Sequence, residues 1–313
     1  MAGSGVSIEK QHILRRIIDM SGASSYRVFD IQLKEKVKIS PSLLRCVFAG
    51  AEVHRMKLEA PDQRIKLLFP AEEGQIPQLE NGDDWHRSYM AIAKPQRPVM
   101  RTYTLRALRA EQNEMDVEFV LHGESGPASA WATHAQPGDA IQVVAPNADY
   151  PLDSGGYEWA PPAQMAQALL IADETALPAA VAILEQLALL ANPPQVQAFF
   201  EVPVAGDCLS LAQFPFARVH WLPRDAEHQL AHGRLLVDAV RQWVQIPVTA
   251  RVEGQSLAEN SLGGEVLWER AEGTSTFYAW VAAESSTVKA LRRYLIGECG
   301  LDRASVNFMA YWC

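Results

Sequence analysis

The sequence predicts an antiparallel β-barrel or sandwich followed by a parallel-sheet α/β domain. Short apolar runs separated by Gly, Pro, Asn and Asp fill the first half, without long helices between them. From about Gln164 the rhythm changes, and continuous apolar runs alternate with segments of helical spacing. A length of 313 residues, against roughly 150 for an average domain, also favours two domains with sizeable cores.

Strands are expected over 42–50, 64–70, 100–106, 115–123 and 140–145. The clearest begins at Met115: Met115, Val117, Phe119 and Leu121 share one face, while Asp116, Glu118 and His122 share the other with Val120. Ahead of them, 8–20 spaces Ile8, Ile13, Leu14, Ile17 and Ile18 like an amphipathic helix. This divides the chain into an N-terminal extension over 1–30, a barrel domain over 31–150 and an α/β domain over 151–313. A stretch rich in Pro, Gly and Asp over 146–162 forms the joint. In the second domain 168–172, 196–202, 217–222, 277–282 and 305–311 read as strands. Helices are expected over 176–190, 233–243 and 287–296, and the polar stretch 254–275 reads as a long loop or insertion.

The net charge of −9 is unevenly placed: residues 1–110 carry +6, residues 111–313 carry −15, and no Lys or Arg lies between Glu111 and Ala217. An acidic chain of this kind is a poor nucleic-acid binder. The first half still offers positive charge to a compact anion. Cys46, Cys208, Cys299 and Cys313 form no CxxC pair, which argues against zinc ribbons, iron–sulfur clusters and a disulfide scaffold; no metal site is expected. The N-terminus does not read as a signal peptide, and the greasy stretch 176–191 is too short and too interrupted to cross a membrane. The expectation is a soluble, cytoplasmic protein.

Two short stretches carry candidate chemistry. Strand alternation over Arg101-Thr102-Tyr103-Thr104-Leu105-Arg106 puts Arg101 and Tyr103 on one face, Thr104 and Arg106 on the other. A flavin dinucleotide needs a cation for its pyrophosphate, a flat surface for its ring and a hydrogen-bonding group near the reactive nitrogen, and Arg, Tyr and Thr supply all three. A half-buried strand with two surface arginines is the plainer reading. In His122-Gly123-Glu124-Ser125-Gly126-Pro127-Ala128-Ser129-Ala130-Trp131-Ala132, small residues allow close backbone approach, and a helix starting near Ala128 would present free N–H groups to phosphate. The plainer reading there is a strand–helix turn with a core Trp131.

Together with Ala172-Asp173-Glu174-Thr175-Ala176-Leu177-Pro178-Ala179, the run Tyr278–Ser286 and the terminal Tyr311-Trp312-Cys313, these motifs resemble the siderophore-interacting protein family. The likeness covers about residues 40–313. It implies a ferredoxin reductase-like fold: an antiparallel flavin-binding β-barrel followed by a parallel-sheet nucleotide-binding domain. It also implies bound FAD, with NADPH or NADH as electron donor. Arg101 would lie near the flavin phosphates, Tyr103 against the ring and Thr104 near its reactive edge, with Arg106 beside them. His122, Gly123, Ala128 and Ser129 would line the pyrophosphate and adenosine. The turn bearing Asp173, Glu174 and Thr175 stands where related reductases place a glycine-rich nucleotide turn. Thr175 either meets the nucleotide or caps the helix.

Arg224, beyond the third parallel strand, is a candidate partner for a ribose 2′-phosphate and hence for NADPH. Glu284, with Lys289, Arg292 and Arg293 on the helix after it, forms a second candidate nucleotide edge, and Trp312 a cover for the flavin. Lys66, with Arg97, Arg101 and Arg106, would make a positive mouth for an anionic ferric siderophore. No catalytic nucleophile or base is nominated, because reduction of Fe(III) moves electrons rather than protein-bonded groups. The implied function is NAD(P)H-dependent reduction of ferric siderophores, releasing Fe(II); a ferredoxin is the alternative electron donor. A flavin or small-molecule reductase and a non-catalytic siderophore carrier are the competing readings.

Overall fold

The computed structural model describes residues 23–71, 78–80, 84–123, 126–226, 231–255 and 267–313. The first sheet contains β1 (Tyr26–Lys38), β2 (Leu43–Ala49), β3 (Arg64–Phe69), β4 (Val99–Thr104), β5 (Ala107–Arg109), β6 (Glu114–Val120) and β7 (Ala140–Pro146). Their order is β4-β3-β7-β1-β2-β6-β5, so the two edge strands are consecutive in the chain. Two residues join them: Leu105 N–H bonds Gln63 O at 2.8 Å on one side, and Arg106 N–H bonds Asp116 O at 2.9 Å on the other. A two-residue corner between opposite edges forces the sheet to curl towards a barrel. Phe29, Ile31, Phe48, Ile65, Leu67, Val117, Phe119 and Val143 fill the interior.

Two short helices cover this sheet. α1 (Trp85–Ala91) lies over an outer cluster of Val28, Leu68, Leu79 and Val144, to which it contributes Trp85 and Tyr89. α2 (Pro127–His134) directs Trp131 at the interior, 5.9 Å from Phe48 and 5.6 Å from Phe69 by ring centroids. Trp131 is thus half-buried and packed against the core.

Strand β1 begins at Tyr26, inside the stretch read as an extension. Val28 and Phe29 are both buried, one in the outer cluster and one in the interior, which breaks simple alternation. The charged Lys34-Glu35-Lys36 segment then hides the rest of the strand. The amphipathic helix expected over 8–20 lies outside the described residues.

The second sheet contains β8 (Gln167–Ala172), β9 (Gln195–Val202), β10 (Ala217–Pro223), β11 (Trp268–Glu269), β12 (Phe277–Glu284) and β13 (Val306–Trp312), in the order β10-β9-β8-β12-β13-β11. All neighbours are parallel except β11, which pairs antiparallel with β13. That two-residue strand lies within 254–275, the stretch read as a long loop or insertion, part of which lies outside the described residues. α3 (Leu177–Ala188) packs on one face with Phe200, Tyr278 and Trp280. α4 (Arg234–Trp243) and α5 (Ser285–Arg292) pack on the other with Ile171, Phe199, Val281 and Phe308. The order reverses between β8 and β12, and open α/β sheets bind ligands outside the carboxyl ends of the strands at such a reversal.

Two compact units result, with the main division at Tyr157/Glu158. Residues 38–43 and 60–62 fold with the second unit. Asp62, fully buried, accepts from Glu158 N, Trp159 N and Trp280 Nε1, each at 3.0 Å. Asp207 likewise accepts from Ser40 Oγ at 2.6 Å and Ser42 N at 2.8 Å.

Candidate functional site

On the barrel, β4 pairs with β3 so that Tyr103 lies opposite Ile65 and Arg101 opposite Leu67. Directly paired residues share a face, so Arg101 and Tyr103 do share one. Tyr103 rests on Phe119 at 4.6 Å, and Phe119 lies 6.4 Å from Trp131, which ties β4 to α2 through a chain of aromatic rings. Burial pushes the Tyr103 hydroxyl well above its ordinary pKa, so it stays protonated as a donor. Arg101 is exposed, and its guanidinium reaches Met100 O at 2.9 Å. Thr104 is buried opposite Arg64.

Gly123 and Gly126 lie ahead of α2. Gly123 has φ +89°, and a Cβ there would meet nothing within 4 Å. Ser129 Oγ donates to Gly123 O at 2.7 Å and ties α2 back to Gly123. The first helical bond runs from Ala130 N–H to Gly126 O, so the N–H groups of Ala128 and Ser129 precede the ladder. His122 is exposed beside this turn, and Gly126 leaves room for its ring. An exposed guanidinium and two leading helical N–H groups are each of the donor type that a phosphate takes.

The positive mouth is not assembled as expected. Arg106 faces Glu118 at 3.5 Å with both side chains nearly buried, and Glu118 also holds Arg45 at 2.5 Å. Arg97 donates to Met90 O at 2.8 Å and Ile92 O at 2.9 Å and lies over the Tyr89 ring, closing the end of α1. Both arginines therefore serve the fold. Lys66 lies opposite Thr102 and bonds its Oγ1 at 3.3 Å, on the face away from Leu67 and Arg101. Burial, and then the charge of Arg64, lower the Lys66 pKa. Such an ammonium gains from an anionic neighbour.

In the second unit the carboxyl ends of the strands carry a dense hydrogen-bond network. Asp173, just beyond β8, is fully buried. It accepts from Thr175 N at 2.9 Å, Thr175 Oγ1 at 2.6 Å, Glu284 N at 2.9 Å and Trp312 Nε1 at 2.9 Å. Burial, with the charge of Glu174, still pushes its pKa up. Thr175 is thereby turned to Asp173, and α3 begins without a side-chain cap, contrary to the capping role considered for it.

Arg224 forks onto Glu174, Nη1 to Oε2 at 2.8 Å and Nη2 to Oε1 at 2.6 Å, and Nη1 also bonds Glu201 Oε1 at 3.1 Å. Glu201 is fully buried and accepts Gly233 N at 2.7 Å and Leu236 N at 3.0 Å as well. The guanidinium expected at a 2′-phosphate is thus committed to two carboxylates. Glu284 accepts from Thr287 N at 3.0 Å and caps α5. Arg292 pairs with Glu269 at 2.9 Å.

Sequence reasoning missed His232, whose isolated position between Ala231 and Gly233 gives no signal. Its Nε2 lies 3.2 Å from Glu174, and its ring meets the Trp312 indole edge-on at 4.8 Å. Burial opposes the His232 charge, but the hydrogen bond and charge of Glu174 raise its pKa overall. Burial likewise opposes ionisation of Glu174, yet His232 and Arg224 bring that carboxyl down to about 2. Asp173, Glu174 and His232 bring ligand atoms within 4.8 Å of one another. Arg224 and the four donors to Asp173 already occupy those carboxylates.

No helix among the described residues is long and apolar enough to cross a membrane. Residues 32–150 match the siderophore-interacting FAD-binding domain, and residues 165–313 match siderophore-interacting protein. Ferric vibriobactin reductase ViuB of Vibrio cholerae is 28% identical over 281 residues, spanning 88% of this chain and 86% of its own. The NADPH-dependent ferric-chelate reductase of Escherichia coli K12 is 28% identical over 279 residues, spanning 88% and 89%. The crystal structure of a siderophore utilization protein from T. fusca superposes with a TM-score of 0.67 at 24% identity, covering 92% of this chain and 93% of that one. Ferredoxin reductase-like flavoproteins share the fold at lower identity, one with a TM-score of 0.57 at 14%. With both halves matched in this order, the chain belongs to the siderophore-interacting protein family and carries its FAD-binding domain ahead of its siderophore-interacting domain.

Proposed function

We propose that this protein is an NAD(P)H-dependent ferric-siderophore reductase with bound FAD. One observation carries the reading: a barrel that bears an exposed Arg101 and the leading N–H groups of α2 precedes a parallel sheet in the same chain, and these are donors a dinucleotide phosphate would use. The names of ViuB and the Escherichia coli reductase, both aligned over nearly the whole chain, support it.

FAD, when bound, supplies the conversion of a two-electron hydride donor into single electrons for Fe(III). The residues of the chain bind and orient. Arg101, Ala128 N–H and Ser129 N–H would hold the phosphate oxygens of FAD, with Gly123 and His122 beside them. Tyr103 presents a fixed ring, locked by Phe119. Lys66 and Thr102 give an anionic chelate a half-desolvated cation and a hydroxyl. Siderophores grip Fe(III) with hard oxygen donors that suit Fe(II) less well, so reduction loosens the complex. Dependence on a nicotinamide nucleotide is our reason for assigning the reaction to the cytoplasm.

The test compares ferric siderophores with free flavin as electron acceptors for the FAD-loaded protein under NADH or NADPH. Turnover of the ferric chelates well above that of free flavin supports the reading. Turnover of free flavin alone makes the protein a flavin reductase instead.

A further inference from the structure

The ends of β8, β9 and β10 hold Asp173, Glu174, Glu201 and Asp225, with Glu284 at the end of β12. Asp225 accepts the Ala205 N–H at 3.0 Å. Against these carboxylates stand Arg224 and His232. Both terminal nitrogens of Arg224 face carboxylate oxygens, and its side chain is only 20% exposed. Glu174 is 12% exposed and Glu201 fully buried. Withdrawing the guanidinium towards a ligand would leave both carboxylates short of their charge partner in a site with little water. That penalty exceeds what one surface phosphate interaction returns. A dianionic phosphate placed beside Arg224 would also face Glu174.

NADPH differs from NADH by one such group, the 2′-phosphate of its adenosine ribose. We propose that Glu174 sets the nucleotide preference: by holding Arg224 it denies the 2′-phosphate its cation, and the protein favours NADH. This rests on the reading that a nicotinamide nucleotide is the electron donor. Glu174 acts through Arg224, so it is a positioning residue for specificity and takes no part in electron transfer.

The test is stopped-flow reduction of the FAD-loaded protein by NADH and by NADPH, in wild type, Glu174→Gln, Arg224→Gln and the double variant. The wild type is expected to favour NADH. Glu174→Gln shifts the kcat/KM ratio towards NADPH by about tenfold, the size of one charge-assisted hydrogen bond, through KM for NADPH. Arg224→Gln leaves the wild-type ratio unchanged but abolishes that shift in the double variant. A wild type that favours NADPH, or an Arg224→Gln variant that loses NADPH selectively, overturns the proposal while leaving the reductase reading standing. Should the variants not fold, the wild-type preference decides, together with calorimetric binding of 2′,5′-ADP against 5′-AMP to the FAD-loaded wild type; tighter binding of the bisphosphate overturns the proposal. If neither nucleotide reduces the flavin, the donor reading fails, and this inference falls with it.

Discussion

Trp312 donates its indole N–H to Asp173 Oδ2 at 2.9 Å, pinning the last strand of the parallel sheet to the turn that follows its first strand. The same oxygen takes the Glu284 N–H, so one buried carboxylate gathers the ends of β8, β12 and β13. Trp312→Phe removes one of four bonds and should cost about 1 kcal/mol. Asp173→Ala leaves four donors without their acceptor and should cost more than ~3 kcal/mol. Urea unfolding of the two variants measures both, and equal losses would deny Asp173 this gathering role.

Arg101 touches little of the protein, so its removal should leave the fold intact. Arg101→Ala is expected to weaken FAD binding by roughly 10- to 100-fold, as for one lost hydrogen-bonded ion pair. Fluorescence titration of FAD into the apoprotein checks this, with thermal unfolding as the control. Unchanged affinity would remove Arg101 from the phosphate site.

Lys66 and Arg97, paired in the sequence reading, should separate. Lys66→Ala is expected to raise KM for ferric tri-catecholates several-fold more than for neutral iron chelates, because the lost charge acts on anions. Arg97→Ala should change that preference little and instead lower stability by about 1 kcal/mol, since its bonds go to the end of α1. Steady-state kinetics with both chelate types discriminates; equal effects of Lys66→Ala on both would end its substrate role.

His232 gives a pH signature with a definite sign. Its folded pKa is raised above its ordinary value of 6.5, so the native state binds the extra proton. The stabilisation is fully present below 6.5 and is lost as pH rises through the folded pKa. Relative to His232→Gln, the wild type should therefore have its largest advantage in unfolding midpoint at acid pH, shrinking above 6.5. An advantage that grows with rising pH would contradict the pairing with Glu174.

The architecture was readable because residue type alternates along Glu114–Val120 even though both faces are buried, Asp116 and Glu118 being paired with arginines on the second face, and because Leu177–Ala188 is a long apolar run. β1 escaped because its buried residues serve two different clusters. On the barrel, alternation correctly put Arg101 and Tyr103 on one face and Lys66 on the other side from Leu67. It could not reveal that Arg97 and Arg106 would be committed to local carbonyls and Glu118, since those partners are chosen by tertiary packing. The same holds at the strand ends, where Glu174, Glu201 and Arg224 are far apart in sequence and meet only through the parallel register.

Following the flavin through two anaerobic steps tests the reductase reading as a whole. The FAD-loaded protein is mixed with NADH or NADPH, and then with a ferric siderophore in the presence of a ferrous-specific chelator. The oxidised flavin absorbance should be lost in the first step and return in the second, matched by about two captured Fe(II) per flavin, since flavin passes on two electrons singly. Reduced flavin that persists in the presence of the ferric siderophore, with no Fe(II) captured, would contradict it.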